Sequence, residues 1–127
     1  MRYLLQNLKK EGLLCAIASA SEMKEIQRMV KETKSEAYFD SLLSGCHLEK
    51  SKPDPAIYLL TMDKLGVKPE ETIIVEDSEF GIKAGKASGA TVIAIRDDRF
   101  QVDQSQADYI VSDLLFAQMK ILELMES

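Results

Sequence analysis

Short apolar runs separated by helix-length amphipathic stretches constrain this chain more than any other feature. Residues 13–18, 72–75 and 91–95 read as near-continuous hydrophobic segments rich in Ile, Val, Thr, Leu and Ala. A strand buried on both faces reads this way, whereas a strand with one wet face alternates. Between these runs the period changes. Leu4, Leu5 and Leu8 share one face of a predicted helix over 1–11, which Gly12 ends. Ile26, Met29 and Val30 share a face of a second helix running to about 33, with Ser21 as its expected cap. A weaker strand is expected over 42–44.

Asp54 and Pro55 read as a cap followed by proline in the first helical turn, and Gly66 stops that helix. Ser78 is expected to cap a helix ending near Gly89, residues 109–111 to form a short strand, and residues 113–126 a last helix. The order is α-β-α-β-α-β-α-β-β-α. It predicts an α/β fold, a mainly parallel Rossmann-like sheet in a three-layer α-β-α sandwich, spanning 1–127 as one domain. In such sheets ligands bind beyond the carboxyl ends of the strands, so Ser19 and Glu76-Asp77 should converge on one rim.

Composition removes several alternatives. A net charge of −5, with acids and bases interspersed, offers no basic stripe for nucleic acid. No apolar run approaches the length of a membrane span, and the N-terminus lacks the pattern of a signal peptide. A cytoplasmic location is therefore expected. Cys15 and Cys46 lack zinc-site spacing, and the single histidine, His47, is given no role.

Three short elements carry chemistry. Glu76-Asp77 puts adjacent carboxylates at a strand end, which suits either a hard cation such as Mg²⁺ or a solvated turn. Ser19 closes another strand just before a helix, where a hydroxyl and free N–H groups would hold an anion or simply shape the loop. Lys52 precedes Pro53, whose ring restricts the lysine backbone to extended geometry. Lys50 is an equal candidate on composition alone. A hydroxyl, a cation and paired acids at strand ends together describe a phosphate-and-magnesium pocket, and phosphoryl transfer needs little beyond positioning, charge neutralisation and a nucleophile.

In that order and spacing the residues resemble the haloacid dehalogenase superfamily, and within it the β-phosphoglucomutase-like and sugar-phosphatase branch. The resemblance is carried by residues 14–21, Tyr38-Phe39-Asp40, Lys52-Pro53-Asp54-Pro55-Ala56-Ile57-Tyr58, and Ile74-Val75-Glu76-Asp77-Ser78 with Gly81, Gly85 and Gly89 following. It implies that the Ser19 hydroxyl and the Ala20 backbone N–H bind a phosphate oxygen. It implies that Lys52 neutralises the phosphoryl group, that Glu76 and Asp77 sit on Mg²⁺, and that the ligand is a small phosphorylated metabolite of the sugar-phosphate class. The Glu-Asp pair, in place of Asp-Asp, points to the β-phosphoglucomutase-like branch.

Members of this superfamily begin with a strand ending in Asp-x-Asp, whose first aspartate attacks phosphorus, followed by a helical cap domain. Neither matches any residue of this sequence. Asp97-Asp98 follows the wrong strand. The chain is thus expected to be a truncated hydrolase or phosphomutase, inactive alone, or a non-catalytic phosphate- or partner-binding remnant. The resemblance puts the missing strand between those ending at Ser19 and Glu76, so these flanking strands are expected to close up or to self-associate through their uncovered edges. The order argues against a two-component receiver domain, since there the acids come first and the lysine last.

Overall fold

The computed structural model describes residues 2–99 and 102–126. Met1, where the first helix was expected to begin, lies outside that range. Helix α1 (Arg2–Lys10) leads through Gly12, at φ +83°, into β1 (Ala16–Ser19). Helix α2 (Met23–Glu32) and a 3₁₀ turn (Glu36–Tyr38) precede β2 (Ser41–Ser44). Then come α3 (Ala56–Leu65), β3 (Ile73–Glu76), α4 (Glu79–Ala87), β4 (Thr91–Ile95), β5 (Tyr109–Val111) and α5 (Leu114–Met125). The expected element order is the observed one, and every strand pair is parallel.

Local boundaries differ where tertiary contacts overrule local signals. The first apolar run pairs only from Ala16, because its partner strand starts opposite it at Ser41. Ser21 does not cap α2. Its N–H donates to Ser19 Oγ and its carbonyl accepts from Ser44 Oγ, which ties it into the preceding turn and leaves Glu22 as the N-cap. Asp54 serves α3 from one residue further out, accepting from Ala56 N at 3.0 Å. Ser78 caps α4 as expected, accepting from Gly81 N, and Asp113, expected as the first residue of α5, is instead its N-cap, accepting from Phe116 N.

The strands form two sheets, β1-β2 and β3-β4-β5, with no hydrogen-bonded ladder joining them among the described residues. The flanking strands have therefore not closed up: β1 and β3 each keep an edge without a strand partner. Side chains hold the two sheets together instead. Ala18 and Leu43 from the first pack with Ile74, Val92 and Ala94 from the second beneath Ile57, Tyr58 and Met62 of α3 and Ile82 of α4. On the opposite face Ile93, Tyr109 and Val111 meet Leu8 of α1 and Ala117 and Ile121 of α5. The period-2 split of Ile73/Ile74 and Val92/Ile93 between these clusters is why the strands read as continuously apolar.

Gly85 sits where α4 presses onto the sheet. A Cβ there would lie 2.8 Å from Val92 Cγ2 and 3.3 Å from Ile74 Cδ1. Val92 is fully buried and cannot yield. Gly85→Ala is therefore expected to destabilise by about 1 kcal/mol net in urea unfolding, overpacking outweighing the ~1 kcal/mol helix-propensity gain. Stabilisation by the substitution would refute the close approach.

Candidate functional site

Lys52 reaches the end of β3 from the loop that follows β2. Its Nζ lies 2.9 Å from Glu76 Oε2, and both side chains are largely buried, at 19% and 13% exposure. Lys50, equal on composition, is exposed, so the fold separates the two lysines. The peptide between Lys52 and Pro53 is cis. The Lys52 ammonium also stands 5.0 Å from the centre of the Tyr58 ring, within cation–π range.

Glu76 is the hub. The Tyr58 hydroxyl donates to Oε2 alongside Lys52, while Oε1 accepts from Asp77 N at 3.2 Å and Ser78 Oγ at 3.3 Å. Gly81 of α4 makes room for this carboxyl group, for a Cβ at that position would overlap it. Burial by itself would raise the Glu76 pKa. The Tyr58 hydrogen bond and the Lys52 charge and hydrogen bond outweigh burial, and the carboxyl titrates below its ordinary range. Burial first, then the Glu76 charge, pushes the Tyr58 phenol upward, so it remains a protonated donor.

The pH dependence follows from these directions. A carboxyl whose folded pKa is depressed adds stability that is complete above its unfolded pKa and is lost as pH falls through the folded value. Asp40, held by Lys9 and the Cys15 N–H, belongs to the same class. Asp108 joins it, because the Lys86 hydrogen bond and the Val92 N–H outweigh its burial. Unfolding free energy should therefore be flat near neutrality and decline below about pH 4. Glu76→Gln should flatten part of that decline, and an unchanged acid limb would contradict the Glu76 assignment.

The remaining residues are arranged differently. Ser19 ends β1 in register with Ser44, which ends β2. Its Oγ accepts from Ser21 N at 3.1 Å, and its carbonyl accepts from Gly45 N at 2.7 Å. Ala20 is exposed at the tip of that turn. A cleft of about 360 Å³ opens beside it, lined by Ile17, Ser19, Ser21, Ile26 and Met29 among others. Among the described residues no hydrogen bond links Ser19 to Lys52 or Glu76. The structure thus brings Lys52 and Glu76 into contact and leaves Ser19 at the end of β1, bonded within its own turn.

Asp77 is exposed, so its carboxylate is available to a ligand, whereas both oxygens of Glu76 are already engaged. No group of three or more His, Cys, Asp or Glu is placed to hold a metal among the described residues. Mg²⁺ takes one or two carboxylates and retains several waters, so the residues fit a hydrated ion held through Asp77 with Glu76 beside it.

Three residues here carried no expected role, Tyr58 and Gly81 being named only among those that carry the resemblance and Gln104 not at all. Tyr58 had a readable signal, six positions after Lys52 at the start of a capped helix. Gly81 had a weaker one, a glycine within a helix. Gln104, whose amide touches Asp77, had none.

Residues 1–95 match the haloacid dehalogenase-like hydrolase family. Among curated proteins, the chain is 34% identical over 89 residues to a phosphorylated carbohydrates phosphatase of Thermotoga maritima, covering 70% of this chain and 41% of that protein. It is 33% identical over 95 residues to a phosphoglycolate phosphatase of Aquifex aeolicus, covering 73% and 44%. The chain thus spans less than half the length of these relatives. Among solved structures, a haloacid dehalogenase phosphatase from Thermococcus onnurineus superposes with a TM-score of 0.79 at 30% identity, over 94% of this chain and 55% of the other. CbbY from Rhodobacter sphaeroides in complex with xylulose-1,5-bisphosphate superposes at 0.81 and 24% identity, over 88% and 52%, which bears on the fold. No described helix is long and apolar enough to cross a membrane.

Proposed function

Because this chain belongs to the haloacid dehalogenase-like hydrolase family, we propose that it carries the phosphate- and Mg²⁺-handling side of a phosphatase or phosphomutase acting on small phosphate esters such as sugar phosphates. The observation that carries the reading is the Lys52–Glu76 contact. It holds an ammonium group at a strand end beside an exposed carboxylate, Asp77. A fixed cation of this kind stabilises the charge on a transferring phosphoryl group, and it needs no rearrangement during the reaction. Bound Mg²⁺ would supply further neutralisation of phosphate oxygens. The chain's own residues would do the rest. Lys52 would engage the phosphoryl oxygens, Ser19 and the Ala20 N–H would orient them, and Glu76 would hold Lys52 in place.

The attacking aspartate belongs, by resemblance, to a strand that this sequence does not contain. The chain alone is therefore proposed to bind phosphate without turnover. A second reading, a non-catalytic phosphate- or partner-binding module, is favoured by the unpaired edges of β1 and β3, which suit pairing with another chain, a second copy included.

Hydrolysis of p-nitrophenyl phosphate with Mg²⁺ separates the two, assayed with and without an added N-terminal segment carrying Asp-x-Asp. Turnover only with the segment supports the enzyme reading. Phosphate binding by calorimetry with no turnover in either case supports the second. An inert mixture whose phosphate binding is unchanged by Lys52→Ala overturns the enzyme reading and the assignment of Lys52 to phosphate. Light scattering tests self-association directly.

A further inference from the structure

We propose that Gln104 is a positioning residue that fixes the main chain of Asp77, and through it the direction of the Asp77 carboxylate. The inference rests on the proposed Mg²⁺ reading and deepens it. Gln104 is a polar side chain buried to 8% exposure in the loop that follows β4. Its Nε2 donates to the Asp77 carbonyl at 2.9 Å and to the Ile95 carbonyl at 2.8 Å. Its Oε1 accepts from Asp97 N at 3.3 Å. Both amide protons and the carbonyl oxygen are therefore engaged, each by the backbone of a residue at or just beyond a strand end.

The position of the contact gives it meaning. The Asp77 N–H lies 3.2 Å from Glu76 Oε1, while the Asp77 carbonyl accepts from Gln104. The residue is held on both its amide and its carbonyl sides. Immediately after it, Ser78 caps α4. Asp77 is thus the joint between a strand and a helix, and its side chain follows its backbone. An exposed carboxylate on an unrestrained joint would sweep through solvent. Clamped at both ends, its Cα–Cβ bond is aimed in one direction, which narrows the region its carboxylate samples, as suits a metal ligand. A loop glutamine needed only for packing would not have to direct an amide proton at the residue beside Glu76.

The test uses the whole chain and MgCl₂ alone, followed by nitrogen-15 amide spectra. In the unaltered protein the Asp77 and Ser78 amides and the Gln104 side-chain amide should shift together on titration. Gln104→Met should weaken Mg²⁺ binding about tenfold, the size typical of outer-shell partners, with the melting temperature little changed. Gln104→Glu keeps the acceptor for Asp97 N but has no proton for the Asp77 carbonyl, so it should lose binding equally. Ser105→Ala removes the Ser105–Asp103 hydrogen bond in the same loop without touching the clamp, and should bind as the unaltered chain does.

Unchanged Mg²⁺ affinity in Gln104→Met overturns the inference and leaves the proposed function standing. Absence of Mg²⁺ binding in the unaltered chain overturns the proposed function, and this inference with it. If the substituted proteins do not fold, the unaltered chain still decides. A Gln104 side-chain amide that exchanges rapidly, or does not shift with Mg²⁺, overturns the proposal.

Discussion

Lys52→Ala should destabilise the protein by about 3 kcal/mol, because it leaves the Glu76 carboxylate in a largely buried place without its cation. For a domain of this size that corresponds to a fall of roughly 10 °C in Tm. The loss is not the net worth of the ion pair. It is mainly the penalty of an uncompensated charge, so it should shrink when the charge is removed too. Lys52→Ala combined with Glu76→Gln should recover about 2 kcal/mol relative to additivity. Phosphate binding should disappear in both proteins, since the ammonium is gone from each. A loss below about 0.5 kcal/mol for the single substitution would place the pair among solvated surface contacts instead.

Gly81→Ala should be the second large effect, opposite in sign to what helix propensity predicts. Alanine in a helix interior is favoured over glycine by about 1 kcal/mol. At this position, however, a Cβ would occupy the space of the Glu76 carboxyl group. The carboxylate must leave, which strands the Lys52 ammonium and the Tyr58 hydroxyl in a partly buried pocket. Each unsatisfied polar group costs about 1–3 kcal/mol, so a net loss of about 2 kcal/mol is expected in denaturant unfolding. The acid-limb contribution of Glu76 should vanish in the same protein. A stabilised Gly81→Ala would show that the carboxylate is free to move aside.

What the sequence made legible was whatever is decided locally. Gly66 reads as a helix stop and adopts φ +70°. Ser78 reads as a cap and acts as one. The apolar runs read as doubly covered strands, and Ile73/Ile74 and Val92/Ile93 divide between the two core clusters, although Val75, in the β3 strand with an unpaired edge, is exposed. Decisions made at a distance were not legible. Ser21 looked like a cap, but Ser44, from a different strand, holds its carbonyl. Glu76-Asp77 read as paired acids for a cation or for a solvated turn, yet the Glu76 side chain turns in toward Tyr58 and Lys52, 18 and 24 residues away. Lys50 and Lys52 were indistinguishable until the loop was folded. Gln104 stood in a polar stretch with nothing to mark it.

The interrupted sheet also bears on how the molecule would yield under load. Ladder hydrogen bonds running through a single sheet share a shearing force among many groups. Here tension drawn from β2 to β5 would pass through packed side chains, those of α3 on one face and of α1 and α5 on the other, and through the Lys52–Glu76 contact. The two sheets should therefore separate along this seam before either ladder shears.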